Sequence, residues 1–155
     1  QQPSPQPAAG GATLWTVPMD IPNNANAAVH KYFPQHLTIE VGDTVRWVNQ
    51  ALTEPHTVTF RVDAPREREF VPQPQASGPP LVVGNPRVID PVVPPQPWDG
   101  QTYAGSGMIG PGMPAGLEFQ LAFGAPGTFP YVCVLHEDLG MSGFVTVVPR
   151  GTLPR

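Results

Sequence analysis

The stretch Tyr131-Val132-Cys133-Val134-Leu135-His136-Glu137-Asp138-Leu139-Gly140-Met141-Ser142-Gly143-Phe144-Val145-Thr146-Val147 places a thiol, an imidazole and a thioether within nine residues. Apolar residues surround Cys133 before the loop, and a β-branched run from Gly143 to Val148 follows it. This predicts two strands, Thr128–Val134 and Gly143–Val148, joined by a short loop. A strand can deliver Cys133, and a tight loop can fold His136 and Met141 back around the same point. Cys133 is the sole cysteine. That excludes an internal disulfide, a Cys-x-x-Cys redox pair, a four-cysteine zinc site and c-type haem attachment. A lone cysteine can be buried filler, a nucleophile or a metal ligand, and its neighbours decide between these.

Working outward, the rest of the chain reads as short strands punctuated by Gly, Pro and Asn. Thr13–Val17 is a first strand and Val29–Phe33 a second. Leu37, Ile39 and Val41 alternate with Thr38 and Glu40, Gly42-Asp43 turns the chain, and Val45 and Trp47 continue the alternation. Thr57–Val62 and the alternating Leu117, Phe119, Leu121 and Phe123 add two more. No stretch carries an amphipathic-helix period with capping residues. About eight such strands predict an all-β domain built as a two-sheet sandwich.

Residues 1–12 hold three prolines and two glycines without periodicity, and read as a disordered segment or tether ahead of one domain spanning 13–155. Between Pro65 and Pro114 lie twelve of the 23 prolines. Proline cannot donate to a ladder, so this region, about 64–116, is a long excursion with extended pieces at Leu81–Val83 and Arg87–Ile89. Its apolar residues Val82, Val83, Val88, Ile89, Val92, Val93 and Trp98 are expected to lie against the sheets. The run Arg66-Glu67-Arg68-Glu69 reads as a solvated, self-compensating edge.

The net charge is −4 with 13% charged residues, which gives no footprint for nucleic acid or anionic lipid. No apolar run approaches the length of a membrane span. The Gln/Pro/Ala/Gly opening reads as the start of a mature exported chain, or as a tether to an anchor.

Two histidines, one cysteine and a weak axial methionine make a blue-copper ligand set. The segment above supplies all but one imidazole. Thr53-Glu54-Pro55-His56-Thr57-Val58-Thr59-Phe60 offers it at the start of a distant strand. Cys133-x-x-His136-x-x-x-x-Met141-x-Gly143-x-Val145-x-Val147 resembles the copper loop of plastocyanins and pseudoazurins. Phe33-Pro34, then Leu37-x-Ile39-x-Val41-Gly42-Asp43-Thr44-Val45-x-Trp47-x-Asn49, then Pro55-His56-x-Val58-x-Phe60 resembles their second conserved block. The position after His56, commonly Asn in plastocyanins, is Thr57 here.

The resemblance to cupredoxins implies a Greek-key β-sandwich with one type 1 copper ion. His56, Cys133 and His136 are then equatorial ligands and Met141 the axial one. It implies an exported, periplasmic or extracellular electron carrier rather than an enzyme. It further implies redox partners, a cytochrome or a membrane redox complex, docking near His136. Leu135, Leu139, Pro34, Pro55 and Met113 are candidates for the apolar rim of that port. The alternatives are a copper-binding or delivery protein, and a cupredoxin subunit of a larger redox assembly.

Enzymatic copper readings fit less well. Val132 and Val134 flank Cys133, so the adjacent histidine that couples a blue site to a second copper is absent. A dinuclear copper centre needs two cysteines, and no oxyanion loop accompanies a Cys/His nucleophile. His30 and His36 are candidates for a second metal site, against the commoner reading as solvated histidines.

Overall fold

Alternation writes the strands of the sandwich directly. From Thr44 to Asn49 every second side chain is buried (Val45, Trp47, Asn49), and from Ser142 to Val148 the same holds for Gly143, Val145 and Val147. The computed structural model describes residues 5–22, 27–51, 53–61 and 66–154. Among these the strands are β1 (Pro5–Pro7), β2 (Thr13–Met19), β3 (His36–Glu40), β4 (Thr44–Asn49), β5 (Thr59–Phe60), β6 (Phe70–Gln73), β7 (Leu81–Gly84), β8 (Ala104–Gly105), β9 (Glu118–Ala122), β10 (Gly127–Val132) and β11 (Ser142–Val148), with one helical turn α1 (Pro86–Ile89).

Two sheets carry the core, ordered β1-β2-β4-β9 and β3-β11-β10-β5-β8, and β6-β7 forms a separate two-stranded ribbon. The pairs β2/β4 and β3/β11 run parallel, while β4/β9 and β10/β11 run antiparallel. The chain therefore passes from one core sheet to the other between β2 and β3, β3 and β4, β4 and β5, β8 and β9, and β9 and β10, the crossovers of a Greek-key sandwich. Gly42, at φ 91°, makes the tight crossing between β3 and β4. Asp43 beside it gathers the Thr13 and Glu40 amides, the Trp15 indole and Arg150 on one buried carboxylate.

Aromatic rings fill the space between the sheets. Trp47 of β4 meets Phe60 of β5 and Tyr131 of β10 edge-on, at centroid distances of 5.8 and 5.4 Å. Trp98 closes one end, 5.0 Å from Phe60 and 5.7 Å from Phe123. Gly143 marks a close approach. A Cβ there would stand 2.7 Å from the Gln35 carbonyl oxygen and 2.8 Å from the Tyr131 ring.

Several expectations need correction. Residues 5–12 are not disordered: Pro5–Pro7 pairs with Thr13–Trp15 as an edge strand, and Ala9–Gly11 is a 3-10 turn. An edge tolerates Pro5 and Pro7, because the missing N–H groups face no partner. Residues 1–4 lie outside the described residues. Val29–Phe33 is not a strand. Only Tyr32 bridges to Met19, because the Val29 amide bonds the Asp20 carboxylate instead of a ladder and His30 turns to φ 50°. The strand expected over Thr57–Val62 is confined to Thr59–Phe60, and Val62 lies outside the described residues.

Arg87–Ile89 belongs to a helical turn rather than an extended piece. Asn85 caps it by accepting from the Arg87 amide, and Pro86 opens it. In the excursion Val88 and Trp98 are buried as expected, but Val82, Val92 and Val93 face outward. The charges of Arg66–Glu69 are not self-compensating: Arg66 pairs with Glu137 and Asp138, and Glu67 with Arg87.

The excursion is nonetheless tied to the sandwich. Its return adds β8 to the edge of one sheet, and the main chain of Trp98 bonds Ala122 and Gly124 beside β9. Beyond β8 the same return lays Ile109 against His56.

Candidate metal centre

His56, Cys133 and His136 converge at one end of the sandwich. His56 Nδ1 and His136 Nδ1 are 3.2 Å apart. Cys133 Sγ stands 3.5 Å from His136 Nδ1 and 3.9 Å from His56 Nδ1. Both imidazoles turn the same nitrogen toward the thiol, and the three donors form a triangle. A first-row metal bonding nitrogen at about 2.0 Å and sulfur at about 2.3 Å would space trigonal donors by roughly 3.5–3.8 Å. The triangle fits one such ion. Its donor set, two imidazoles and a thiol, is the equatorial set of a blue-copper centre.

Each donor is placed by local backbone structure. His56 exchanges both backbone hydrogen bonds with Ile109, at 3.0 and 2.7 Å. The Asn49 side-chain amide donates to the Glu54 and Ile109 carbonyls, fixing both sides of that bridge. Cys133 follows the end of β10, and its amide donates to the Met141 carbonyl at 3.0 Å. A 3-10 turn over Glu137–Leu139 then ends at Gly140, whose φ of 77° returns the chain. The Met141 amide donates to the His136 carbonyl. Met141 is thus brought back beside Cys133 and His136 in sequence order, and its side chain is fully buried. Arg61 and Arg66 brace this loop from outside through Glu137 and Asp138, each with a contact of 2.6 Å.

Thr57 serves the thiol. Its amide lies 3.3 Å from Cys133 Sγ, and its hydroxyl accepts from the Val134 amide. The Tyr32 hydroxyl donates to the Thr57 carbonyl at 2.6 Å. Burial pushes the Cys133 thiol above its ordinary range, opposed by the Thr57 N–H and neighbouring amides. Burial also drives His56 down to about 4, reinforced by His136. His136 is lowered as well, by burial first and then by His30. Both rings are therefore neutral near pH 7, which frees one lone pair on each for a metal.

Carboxylates stand behind both imidazoles, and neither was singled out by the sequence. Asp20 Oδ2 is 3.3 Å from His56 Nε2, with both side chains fully buried. Glu54 Oε2 is 4.0 Å from His136 Nε2 and 2.9 Å from His30 Nε2. Glu54 lies two residues before His56, so its proximity was legible there. Asp20 lies 36 positions from His56, and nothing local marks it.

His30 and His36 do not come together as a pair. His30 tilts over His136 at a centroid distance of 4.3 Å, whereas His36 stacks on Phe144 at 3.8 Å. Of the residues expected to rim the site, Leu139 is exposed, Pro34, Pro55, Met113 and Leu135 are half-buried, and Leu135 packs on the core.

No family model matches the chain. Solved structures do. A mutant amicyanin with Cu(I) aligns over 96% of this chain and 100% of its own, at a TM-score of 0.50 and 20% identity. The Cu(I) form of a second amicyanin mutant aligns over 94% and 92%, at a TM-score of 0.50 and 24% identity. The fold is cupredoxin-like. A mutant fern plastocyanin aligns over 86% of this chain and 99% of its own, at a TM-score of 0.49 and 16% identity. No helix among the described residues of this cupredoxin-like chain is long and apolar enough to cross a membrane.

Proposed function

We propose that the chain is an electron carrier, not an enzyme, holding one type 1 copper ion on His56, Cys133 and His136 with Met141 as the axial donor. The observation that carries this reading is the triangle of His56 Nδ1, His136 Nδ1 and Cys133 Sγ, with sides of 3.2, 3.5 and 3.9 Å. Bound copper supplies one-electron chemistry between Cu(I) and Cu(II). The chain supplies the rest. Cys133 gives a thiolate under the Thr57 amide, and the two neutral imidazoles complete a rigid, dry donor set.

Of the two histidines, His56 has no exposure while the His136 side chain is 16% exposed. Electrons therefore enter and leave by the His136 edge. Leu139 and the half-buried Pro34, Pro55 and Met113 belong to the apolar surface offered to a redox protein partner, a cytochrome or a membrane redox complex. Such a small face suits brief encounters. The burial of His56, Cys133 and Met141 favours retention of the ion over its delivery, since an incoming acceptor ligand finds only His136 at the surface. An exported setting, periplasmic or extracellular, accords with this reading.

The test is a visible absorption and EPR spectrum after Cu(II) addition. The expected result is an intense blue thiolate-to-copper band with narrow hyperfine splitting, absent in Cys133→Ser. A pale, ordinary Cu(II) spectrum would overturn the reading. His136→Gly should open the site to added imidazole. Unchanged colour and redox behaviour in that variant would remove the port assignment.

A further inference from the structure

We infer that Asp20 is a positioning residue for His56. Its buried carboxylate holds the imidazole proton on Nε2, keeps the Nδ1 lone pair aimed at the metal centre, and favours the more highly charged oxidation state of a bound ion. The redox part rests on the copper reading, whereas the tautomer part stands on the metal-free protein.

The geometry admits little else. Asp20 Oδ2 and His56 Nε2 are both buried and face each other at 3.3 Å, an ion-pair distance, and neither has a hydrogen-bonding partner. The second oxygen, Oδ1, accepts from the Ile21 and Val29 amides at 2.8 Å each, so the carboxylate cannot swing away. Asp20 itself is held at φ 59°, a conformation Asp tolerates better than most residues. A neutral imidazole carries one N–H, and an ionised carboxylate can only accept. With the proton on Nδ1, two buried acceptors would oppose each other across a dry contact, at the cost of an unsatisfied polar group. With the proton on Nε2, the N–H edge of the ring faces the carboxylate at 3.3 Å and Nδ1 is free beside Cys133 and His136.

His136 has no such lock. Glu54 is 4.0 Å from its Nε2 and 40% exposed, so water can serve that nitrogen. The sealed ligand therefore has a built orienting partner and the surface ligand does not. A negative charge behind a metal-bound ring raises the basicity of the ring, and outer partners of this kind typically change metal affinity about 10–100-fold.

The test compares wild type with Asp20→Asn. The amide oxygen of Asn keeps the Ile21 and Val29 bonds, which leaves its NH2 against His56 Nε2 and drives the imidazole proton to Nδ1. Long-range 1H–15N NMR of the metal-free full chain, with His56→Gln for assignment, should show Nε2–H in wild type and Nδ1–H in Asp20→Asn. A wild-type His56 protonated on Nδ1, or the same tautomer in both proteins, overturns the inference. The wild-type spectrum decides alone if the variant fails to fold.

In the copper-loaded protein, Asp20→Asn should bind Cu(II) about 10–100-fold more weakly, with a smaller loss for Cu(I). Each tenfold difference between the two states raises the reduction potential by about 59 mV. Equal loss in both states overturns the charge effect while leaving the tautomer result standing. A wild type without a thiolate-to-copper band removes the redox half together with the copper reading, and the NMR result still decides the positioning half.

Discussion

Metal uptake by this chain is expected to release one proton near neutral pH, and that proton comes from Cys133. Burial raises the Cys133 thiol, so the metal-free protein holds it protonated at pH 7. Burial lowers His56 to about 4 and also lowers His136, so neither ring carries a proton that the metal must displace. Ligands bind only when deprotonated, and affinity follows the protons lost. Between pH 6 and 8 the logarithm of the Co(II) affinity should rise by one for each pH unit. That is about 1.4 kcal/mol per unit, or roughly a hundredfold across the window. The slope should steepen only in acid, as His136 and then His56 begin to charge. Competition titrations across this window give the slope, and calorimetry in buffers of different ionisation enthalpy counts the protons. Cys133→Ser should abolish the dependence. A slope of zero would mean that the Thr57 amide and its neighbours outweigh burial and preform the thiolate. A slope of two would mean that a histidine is charged in the metal-free state, and the account of a dry donor set would fail.

Three further outcomes follow from individual side chains. His56 is held at about 4 against an ordinary 6.5, so metal-free stability is unaffected above pH 6.5 and falls as pH drops from 6.5 toward 4, where only the unfolded chain takes the proton; the loss of about 3 kcal/mol should vanish in His56→Gln, read by urea unfolding across pH. Trp98→Ala should cost about 3–5 kcal/mol and lower Tm by roughly 6–20 °C, since the ring is buried against Phe60, Phe123 and Phe129; a smaller change in calorimetry would show that the excursion does not seal the core. Thr57→Val orphans the Val134 amide and should cost about 1–3 kcal/mol in chemical unfolding while preserving the Thr57 amide contact to Cys133 Sγ; a shifted thiolate-to-copper band would instead assign the hydroxyl a direct effect on the thiol.

The convergence of His56, Cys133 and His136 was legible because soft ligands at fixed spacing are rare and physically constrained. Cys133, His136 and Met141 announce a loop that must turn tightly, and Gly140 supplies the left-handed turn. The strands were legible wherever one face is buried and alternation is enforced, as in β4 and β11. Legibility failed where side chains replace the ladder. Asp20 takes the Ile21 and Val29 amides on its carboxylate, so a run that looks like a strand at Val29–Phe33 turns instead and delivers His30 to the site. The helical turn at Pro86 carries a capping signal in Asn85-Pro86, but one turn is too short to show a period. The prolines of Pro5–Pro7 argue against a strand, yet an outermost strand has a free side on which a missing N–H costs nothing. Asp20 could not be read as a partner of His56, since their proximity depends on how β2 ends against the return through Ile109.

The centre is assembled by bonds that need no metal. His56 is pinned by Ile109 and Asn49, and Cys133 by Met141 and Thr57. His136 is pinned through its backbone to Cys133 and through Glu137 to Arg61. These anchors come from both core sheets and from the end of the Pro-rich excursion, so no single loop can relax the triangle. On the proposed copper reading, a donor set fixed in this way would change little between metal-free and loaded states, or between two oxidation states of the ion. Little rearrangement is what rapid one-electron exchange requires. The excursion then has a structural reason: it supplies Trp98 to the core and Ile109 to the bridge that holds His56.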